Sequence, residues 1–260
     1  MDSISVISAL IEFAKYFTEE EFEKIKENAL NEFNKHMIKV QVANDAPLGS
    51  MVDVIDGYVD AIYYGLDTLV RCGVDVASVL NDGASDEEHD VLGRQVKEYL
   101  CKWHQMVSVF VVQAFGEVEV TDVHGQLKFA FAMILSEVYE AYFTFSDQPN
   151  KHINSLTKIL GKDHRLDKPI EGDGIMRLML ILVALVERGL SEYREVFVCA
   201  FEKIHEANMN KGVEVDGKIL FKTLDIGGVK KIVKPAGWQE ANLAKEIGLM
   251  LLQGQDLEPN

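Results

Sequence analysis

From Leu48 to Gly73 the chain reads LGSMVDVIDGYVDAIYYGLDTLVRCG. Apolar residues at Val52, Val54, Ile55, Tyr58, Val59, Ala61, Ile62, Tyr63, Tyr64 and Leu66 leave it almost no polar side. A helix that is apolar nearly all round is a buried helix, so the pattern predicts one buried helix over 48–73. Three carboxylates interrupt it, Asp53, Asp56 and Asp60, at i, i+3 and i+7. At about 100° per residue they share a stripe roughly 60° wide. Like charges so placed repel one another, and burying them unpaired is costly. Two readings are open: a solvated acidic stripe on a half-exposed helix, or a face that receives a multivalent cation.

The same periodicity organises the remainder. Ser3 to Tyr16 reads as an amphipathic helix, and Thr18-Glu-Glu-Glu21 as a capping box opening a second helix to about His36. Asn44, Asp45, Pro47 and Gly49 mark a loop, and Ser85-Asp-Glu-Glu88 a further capping box, starting a helix through about Gln113. His124 to Phe145 is a second largely apolar helix, and Glu137 and Glu140 lie three apart on one of its faces. Two apolar helices far apart in sequence thus each carry acids on one side. A bundle could turn those stripes toward each other, as carboxylate metal sites do elsewhere. Lys151 to Pro169 reads as a connector with a short helix, Ile175 to Arg188 as an apolar helix, and Ser191 to Asn208 as an amphipathic one. Alternating apolar residues around Asp216-Gly217 predict a hairpin over Val213 to Phe221, and Gln239 to Gln253 a last helix. The expected fold is all-α with a small hairpin near the C-terminus.

Charge narrows the partners. Among 260 residues, Lys and Arg number 26 against 42 Asp and Glu, for a net charge of −16. Such a chain is a poor ligand for nucleic-acid backbones, whose affinity comes from Lys and Arg. A small phosphate ligand held through metal ions is not excluded. Positive charge is concentrated in the tail, at Lys218, Lys222, Lys230, Lys231 and Lys234. The three cysteines, Cys72, Cys101 and Cys199, form no C-x-x-C and read as reduced core residues. Cys101-Lys-Trp-His104 has no second ligand pair nearby, which makes it a weak zinc motif. The N-terminus lacks the basic region and cleavage site of a secretory signal. The longest apolar run, Leu178 to Val186, is too short for a bilayer. A soluble protein with no membrane partner is expected, in the cytoplasm (the host's, if the chain is viral).

Gly212-Val-Glu-Val-Asp-Gly-Lys218 imitates a phosphate loop, but Ile219 follows where Ser or Thr is needed, and Glu214 and Asp216 would stand where phosphates should. A weak internal repeat aligns Leu69-Val-Arg-Cys-Gly73-Val74 with Leu185-Val-Glu-Arg-Gly189-Leu190. In that register Asp53, Asp56 and Asp60 fall opposite Pro169, Gly172 and Met176. The expected organisation is two pseudo-symmetric halves in one compact unit, 1–120 with the aspartate helix and 121–260 with the glutamate helix and lysine-rich tail.

These residues resemble a family. Asp53-x-x-Asp56-x-x-x-Asp60 is similar to the E-x-x-D-x-x-x-D helix of the all-α nucleoside triphosphate pyrophosphohydrolases, in the MazG-like and phosphoribosyl-ATP pyrophosphohydrolase-like branch common in phages and large viruses. Leu135-Ser-Glu-Val-Tyr-Glu140 resembles its E-E-x-x-E helix, and Phe201-Glu-Lys-Ile-His-Glu-Ala-Asn-Met-Asn-Lys211 its V-H-x-x-N-M-x-K helix end. Asp216-Gly-Lys218 and Lys234-Pro-Ala-Gly-Trp238 resemble its tail. The chain departs from the pattern at Ser136, which replaces the first Glu, at Asp53, which replaces a Glu, and in the order of the helices. The inverted order fits a fused tandem duplication whose halves each kept part of a site.

The resemblance implies a MazG-like helical bundle and hydrolysis of a nucleoside or deoxynucleoside triphosphate to monophosphate and pyrophosphate. It implies Mg²⁺, with Mn²⁺ as a substitute, held by Asp53, Asp56, Asp60, Glu137 and Glu140. The last four would form the catalytic set. Asn208 and Lys211 would contact phosphate or sugar, and Lys218 and Lys234 would neutralise the polyphosphate. Trp238 would stack on a base or lock the tail, and His205 would be structural. The family's symmetric oligomers allow a homodimer of such pseudo-dimers. Two other classes stay open: a non-catalytic nucleotide-binding or regulatory protein that keeps the fold, and a structural helical partner protein.

Overall fold

A computed structural model of the chain describes residues 5–43, 49–81, 91–116, 122–144, 146–161, 173–216, 218–226 and 229–255. The helices are α1 (Val6–Ala14), α2 (Glu19–Ala43), α3 (Gly49–Arg71), α4 (Val76–Asn81), α5 (Val91–Phe115), α6 (Val123–Phe143), α7 (Pro149–Leu160), α8 (Asp173–Met209) and α9 (Leu243–Gln255). Between α8 and α9 run four short strands, β1 (Val213–Val215), β2 (Lys218–Leu220), β3 (Thr223–Ile226) and β4 (Val229–Ile232). The described chain is thus mostly helical. None of its helices is long and apolar enough to cross a membrane.

α3 and α6, the two helices with acidic stripes, make the most extensive helix–helix contact in the described structure. α2 lies along α6, while α8 and α5 lie along α3. α3 is therefore walled by apolar neighbours, and Ile55, Tyr58, Val59, Ala61, Ile62, Leu66 and Leu69 are buried. From α6 the core receives Leu127, Phe131, Ile134, Leu135, Val138 and Tyr139. One core cluster takes in residues from Val6 to Ile247. Trp103 of α5 stacks on Phe201 of α8, with ring centroids 4.1 Å apart and planes 11° apart.

Local chemistry explains several boundaries. At the start of α2 the Glu21 backbone N–H donates to Thr18 Oγ1 at 3.3 Å while the Thr18 N–H donates to Glu21 Oε2 at 3.1 Å, a reciprocal capping box. Asp122 caps α6 by accepting from the Gly125 N–H at 2.8 Å. α3 stops at Gly73, whose φ of +69° suits glycine, and Val74 N–H returns to Leu69 C=O at 2.9 Å.

Several sequence expectations need correction. α2 runs past His36 to Ala43. The two helices expected on either side of Gly189 are one run, broken at Arg194 (φ 48°, ψ −122°) and not at the glycine. Gly189 sits inside α8, where a Cβ would come within 2.3 Å of the Phe197 ring. The two glycines of the internal repeat therefore act differently: Gly73 ends a helix, and Gly189 makes room for a ring. Two antiparallel hairpins replace the one expected, pairing Val213 with Leu220 and Thr223 with Ile232 at their ends. The short α4 was not foreseen. Asn44, Asp45, Pro47, the capping box at Ser85 to Glu88, and Pro169 and Gly172 lie outside the described residues.

Gly57 sets the spacing of the central pair. A Cβ there would lie 2.7 Å from the Glu137 carbonyl oxygen and 3.2 Å from Ala141 Cβ. No side chain can yield to relieve contact with a backbone oxygen, so Gly57→Ala is expected to push α3 and α6 apart. A loss of about 1–3 kcal/mol in urea unfolding is the outcome to look for, since overpacking in cores falls in that range. Unchanged stability would mean that the two helices do not need so close an approach.

Candidate carboxylate site

The stripe on α3 faces α6 and the C-terminal tail. Asp56 and Asp60 keep a little solvent contact but are surrounded by protein on most sides, and Glu137 is 8% exposed. Burial holds the Asp56 carboxyl well above its ordinary range, and the fields of Asp60, Glu140 and Asp53 add to the effect. Glu137 is raised likewise by burial, then by Glu140, Asp60, Asp56 and Glu32. The charges that act most strongly on both groups are all carboxylates. Asp53, at the edge, is raised by burial, with His36 opposing and Glu140 assisting. Asp53, Asp56, Asp60, Glu137 and Glu140 are thus brought into one electrostatic neighbourhood from two helices far apart in sequence.

Positive charge enters from the tail. Asp60 is pushed up to about 6 by burial, with Lys211 and Lys234 pulling it back and Glu140 and Glu240 pushing further. Burial holds the Lys211 ammonium below its ordinary value, against the attraction of Asp60. Lys211 Nζ donates to Asn208 Oδ1 at 2.5 Å. Trp238 donates its indole N–H to the Ala207 carbonyl at 2.8 Å, anchoring the tail to the end of α8. Lys234 Nζ and Lys211 Nζ lie over its ring at 4.3 and 5.0 Å, a double cation–π contact that orients both ammonium groups. Lys234 also pairs with Glu240 at 2.7 Å. Beside them, Lys211, Lys222, Lys234, Leu220, Phe221 and Pro235 line a groove of about 470 Å³. His205 takes a local partner, with Nδ1 3.2 Å from the Tyr63 hydroxyl. The Lys218 backbone lies in β2, and its side chain is outside the described part.

The donor set is chemically suited to a hard divalent cation, because oxygen-rich carboxylate sites are what Mg²⁺ and Mn²⁺ prefer. A cation would also offset the repulsion among these acids. As they stand, no three His, Cys, Asp or Glu side chains among the described residues are close enough to form a ready shell. The three cysteines are free, and among the described residues none belongs to a group of three potential ligands.

Two residues of this neighbourhood were missed in the sequence. His36 Nδ1 lies 2.6 Å from Glu140 Oε2, and Glu32 acts on Glu137. The signal was present: Glu32 and His36 are four apart and share a face of α2. Ending that helix at His36 hid it. Comparison with protein-family models, with curated proteins and with solved structures finds no match.

These carboxyls make stability depend on pH. A folded carboxyl whose pKa is raised holds its proton more tightly than the unfolded one. Its stabilisation is complete below the ordinary value of 3.8 and is lost as pH rises through about 6, for Asp60. Glu21 runs the opposite way. Burial works against it, yet hydrogen bonds from His124 and Thr18 lower it to about 2, so its contribution is present above 4.5 and lost as pH falls toward 2. In chelator, urea unfolding is expected to show stability falling by about 1–3 kcal/mol from pH about 5 to about 7. Asp60→Asn is expected to flatten that fall. A profile that rises over the interval in wild type would contradict the assignment of buried, mutually repelling carboxyls.

Proposed function

We propose that the chain is a divalent-cation-dependent pyrophosphohydrolase of nucleoside or deoxynucleoside triphosphates, built as a MazG-like bundle of two fused, pseudo-symmetric halves. The observation that carries the reading is the meeting of two buried acidic stripes, from α3 and α6, with the lysines of the tail. Its second support is the resemblance of Asp53 to Asp60, Glu137 to Glu140, Asn208 to Lys211 and Lys234 to Trp238 to that family's blocks.

Asp56, Asp60, Glu137 and Glu140 would hold Mg²⁺, or Mn²⁺ in its place, with Asp53 at the rim. When bound, the cation supplies an activated water and neutralises charge on the phosphates. These carboxylates stand apart as folded, so side-chain rotations would be needed to bring them around one ion. Lys211 and Lys234, held over the Trp238 ring, would meet the polyphosphate, with Asn208 alongside and Lys218 adding charge. Their charge is what developing negative charge on the leaving pyrophosphate requires. The bond broken is the α–β phosphoanhydride. Water adds to the α phosphorus, pyrophosphate leaves, and the water's proton passes to a carboxylate. Trp238 is assigned to locking the tail, given its bond to Ala207.

A second reading is a nucleotide-binding protein without turnover. Ser136 stands in place of a family glutamate, and its hydroxyl is buried with no hydrogen-bond partner. The test separates the two. Pure protein with each NTP or dNTP and Mg²⁺ is expected to release pyrophosphate and monophosphate. Asp56→Asn and Glu140→Gln are each expected to abolish release, and Lys234→Ala to raise KM by about tenfold or more, the weight of a charge-assisted hydrogen bond. Binding without release would favour the second reading, and neither would leave only a structural role.

A further inference from the structure

Val213 and Leu220 stand directly opposite each other on the first hairpin. Cross-strand partners share a face, so the two side chains form one apolar surface. They are 51% and 53% exposed, and both line the groove of about 470 Å³ beside the lysines of the tail. Contacts on several elements hold the frame of that groove. Phe221 meets the Phe110 ring of α5 edge-on, with centroids 5.5 Å apart. The Val233 N–H donates to the Lys222 carbonyl at 2.7 Å, which extends the second hairpin by one rung. Trp238, next to the rim, is tied to Ala207.

The polar side chains of the groove are all of one kind. Lys211, Lys222 and Lys234 line it, and no carboxylate does among the described residues. In a chain with a net charge of −16 that is an unusual surface. Lys211 and Lys234 also act on Asp60, so the groove adjoins the acidic stripe through ammonium groups that the two share. An apolar wall with a cationic rim complements a ligand that is anionic at one end and apolar at the other. Bare polyphosphate would use the rim alone, whereas a nucleotide would use rim and wall together.

We propose that the surface formed by Val213 and Leu220 seats the base and sugar of the triphosphate, while Lys222, Lys211 and Lys234 lead its phosphates to the carboxylates. This rests on the activity proposed above and assigns the part of the substrate that lies away from the bond broken. No Asn, Gln, Ser or Thr side chain lines the groove among the described residues. The wall therefore holds the nucleoside by apolar contact and not by the hydrogen-bonding edge of one base, and it takes purines and pyrimidines alike. Contacts made far from the reacting atoms can hold the phosphates in place for the reaction.

The test uses the full chain with Mg²⁺ and the triphosphates of adenosine, guanosine, cytidine and uridine in which a methylene bridges the α and β phosphorus, against inorganic tripolyphosphate. Trp238 fluorescence reports on the rim, because the other tryptophan of the chain, Trp103, is fully buried. The nucleotides are expected to bind about tenfold or more tighter than tripolyphosphate, and within about threefold of one another, as apolar contact without base-edge hydrogen bonds allows. Val213→Thr combined with Leu220→Thr keeps side chains that suit a strand but removes the apolar surface. It is expected to bring the nucleotides down to the affinity of tripolyphosphate, which itself stays as in wild type. Should the double variant lose its fold by circular dichroism, Leu220→Thr alone takes its place, with a loss in the same direction. Three results overturn the role of the wall: equal binding of nucleotides and tripolyphosphate by wild type, an advantage that survives in the folded variant, or a preference above about tenfold for one base. Pyrophosphate release from ordinary triphosphates would then still support the carboxylate reading. An advantage that the variant abolishes, without any such release, keeps the groove and overturns the activity. No binding of nucleotide or tripolyphosphate by wild type overturns both.

Discussion

Like charges confined between two apolar helices are the constraint on which this structure turns. Asp56 and Glu137 are raised by burial and by one another's neighbours, and no cation is among the charges that act most strongly on them. Apolar residues alone would pack α3 against α6 with less conflict. The two helices nevertheless approach closely at Gly57, which lacks the Cβ that would strike the Glu137 carbonyl. Close packing and charge repulsion thus oppose each other at the same level of the bundle. Buried ionisable groups under such tension concentrate at functional sites.

The second half of the arrangement is the tail. An acidic chain with a net charge of −16 places Lys211 and Lys234 over one indole, within reach of Asp60. The indole is tied to α8 through Ala207. The tail thus holds two ammonium groups near the carboxylates, one of which, Lys234, is also paired with Glu240. Such a mixed patch suits a ligand that is itself both polyanionic and metal-bound, which is what joins the two supports of the proposed activity.

Much of this was legible in the sequence because helices repeat. The i, i+3, i+7 spacing put Asp53, Asp56 and Asp60 on one face without any knowledge of neighbours, and Glu137 and Glu140 likewise. The capping box at Thr18 and the glycine stop at Gly73 are local chemistry and read correctly. What failed depended on distant contacts or on weak punctuation. Gly189 looked like a helix end, yet it is there to admit the Phe197 ring, a partner eight residues on that only the folded chain brings onto it. The second hairpin was missed although Gly227-Gly228 separates two alternating stretches. His36 was missed because α2, which runs to Ala43, was expected to end at His36 itself, hiding the face it shares with Glu32. The partnership of Trp238 with Lys211, far earlier in the chain, is likewise a product of the tail folding back.

The measurement that bears most directly on the central claim is the thermal stability of the full chain at neutral pH, first in chelator and then with rising Mg²⁺ or Mn²⁺. A ligand that binds only the folded state stabilises it by about 2.7 kcal/mol at one hundred times its Kd. For a chain of this size that is a rise in Tm of several degrees, at about 2–4 °C per kcal/mol. The account predicts that rise in wild type and a much smaller one in Asp56→Asn. A Tm indifferent to either cation up to about 10 mM, or a rise equal in both proteins, would contradict it.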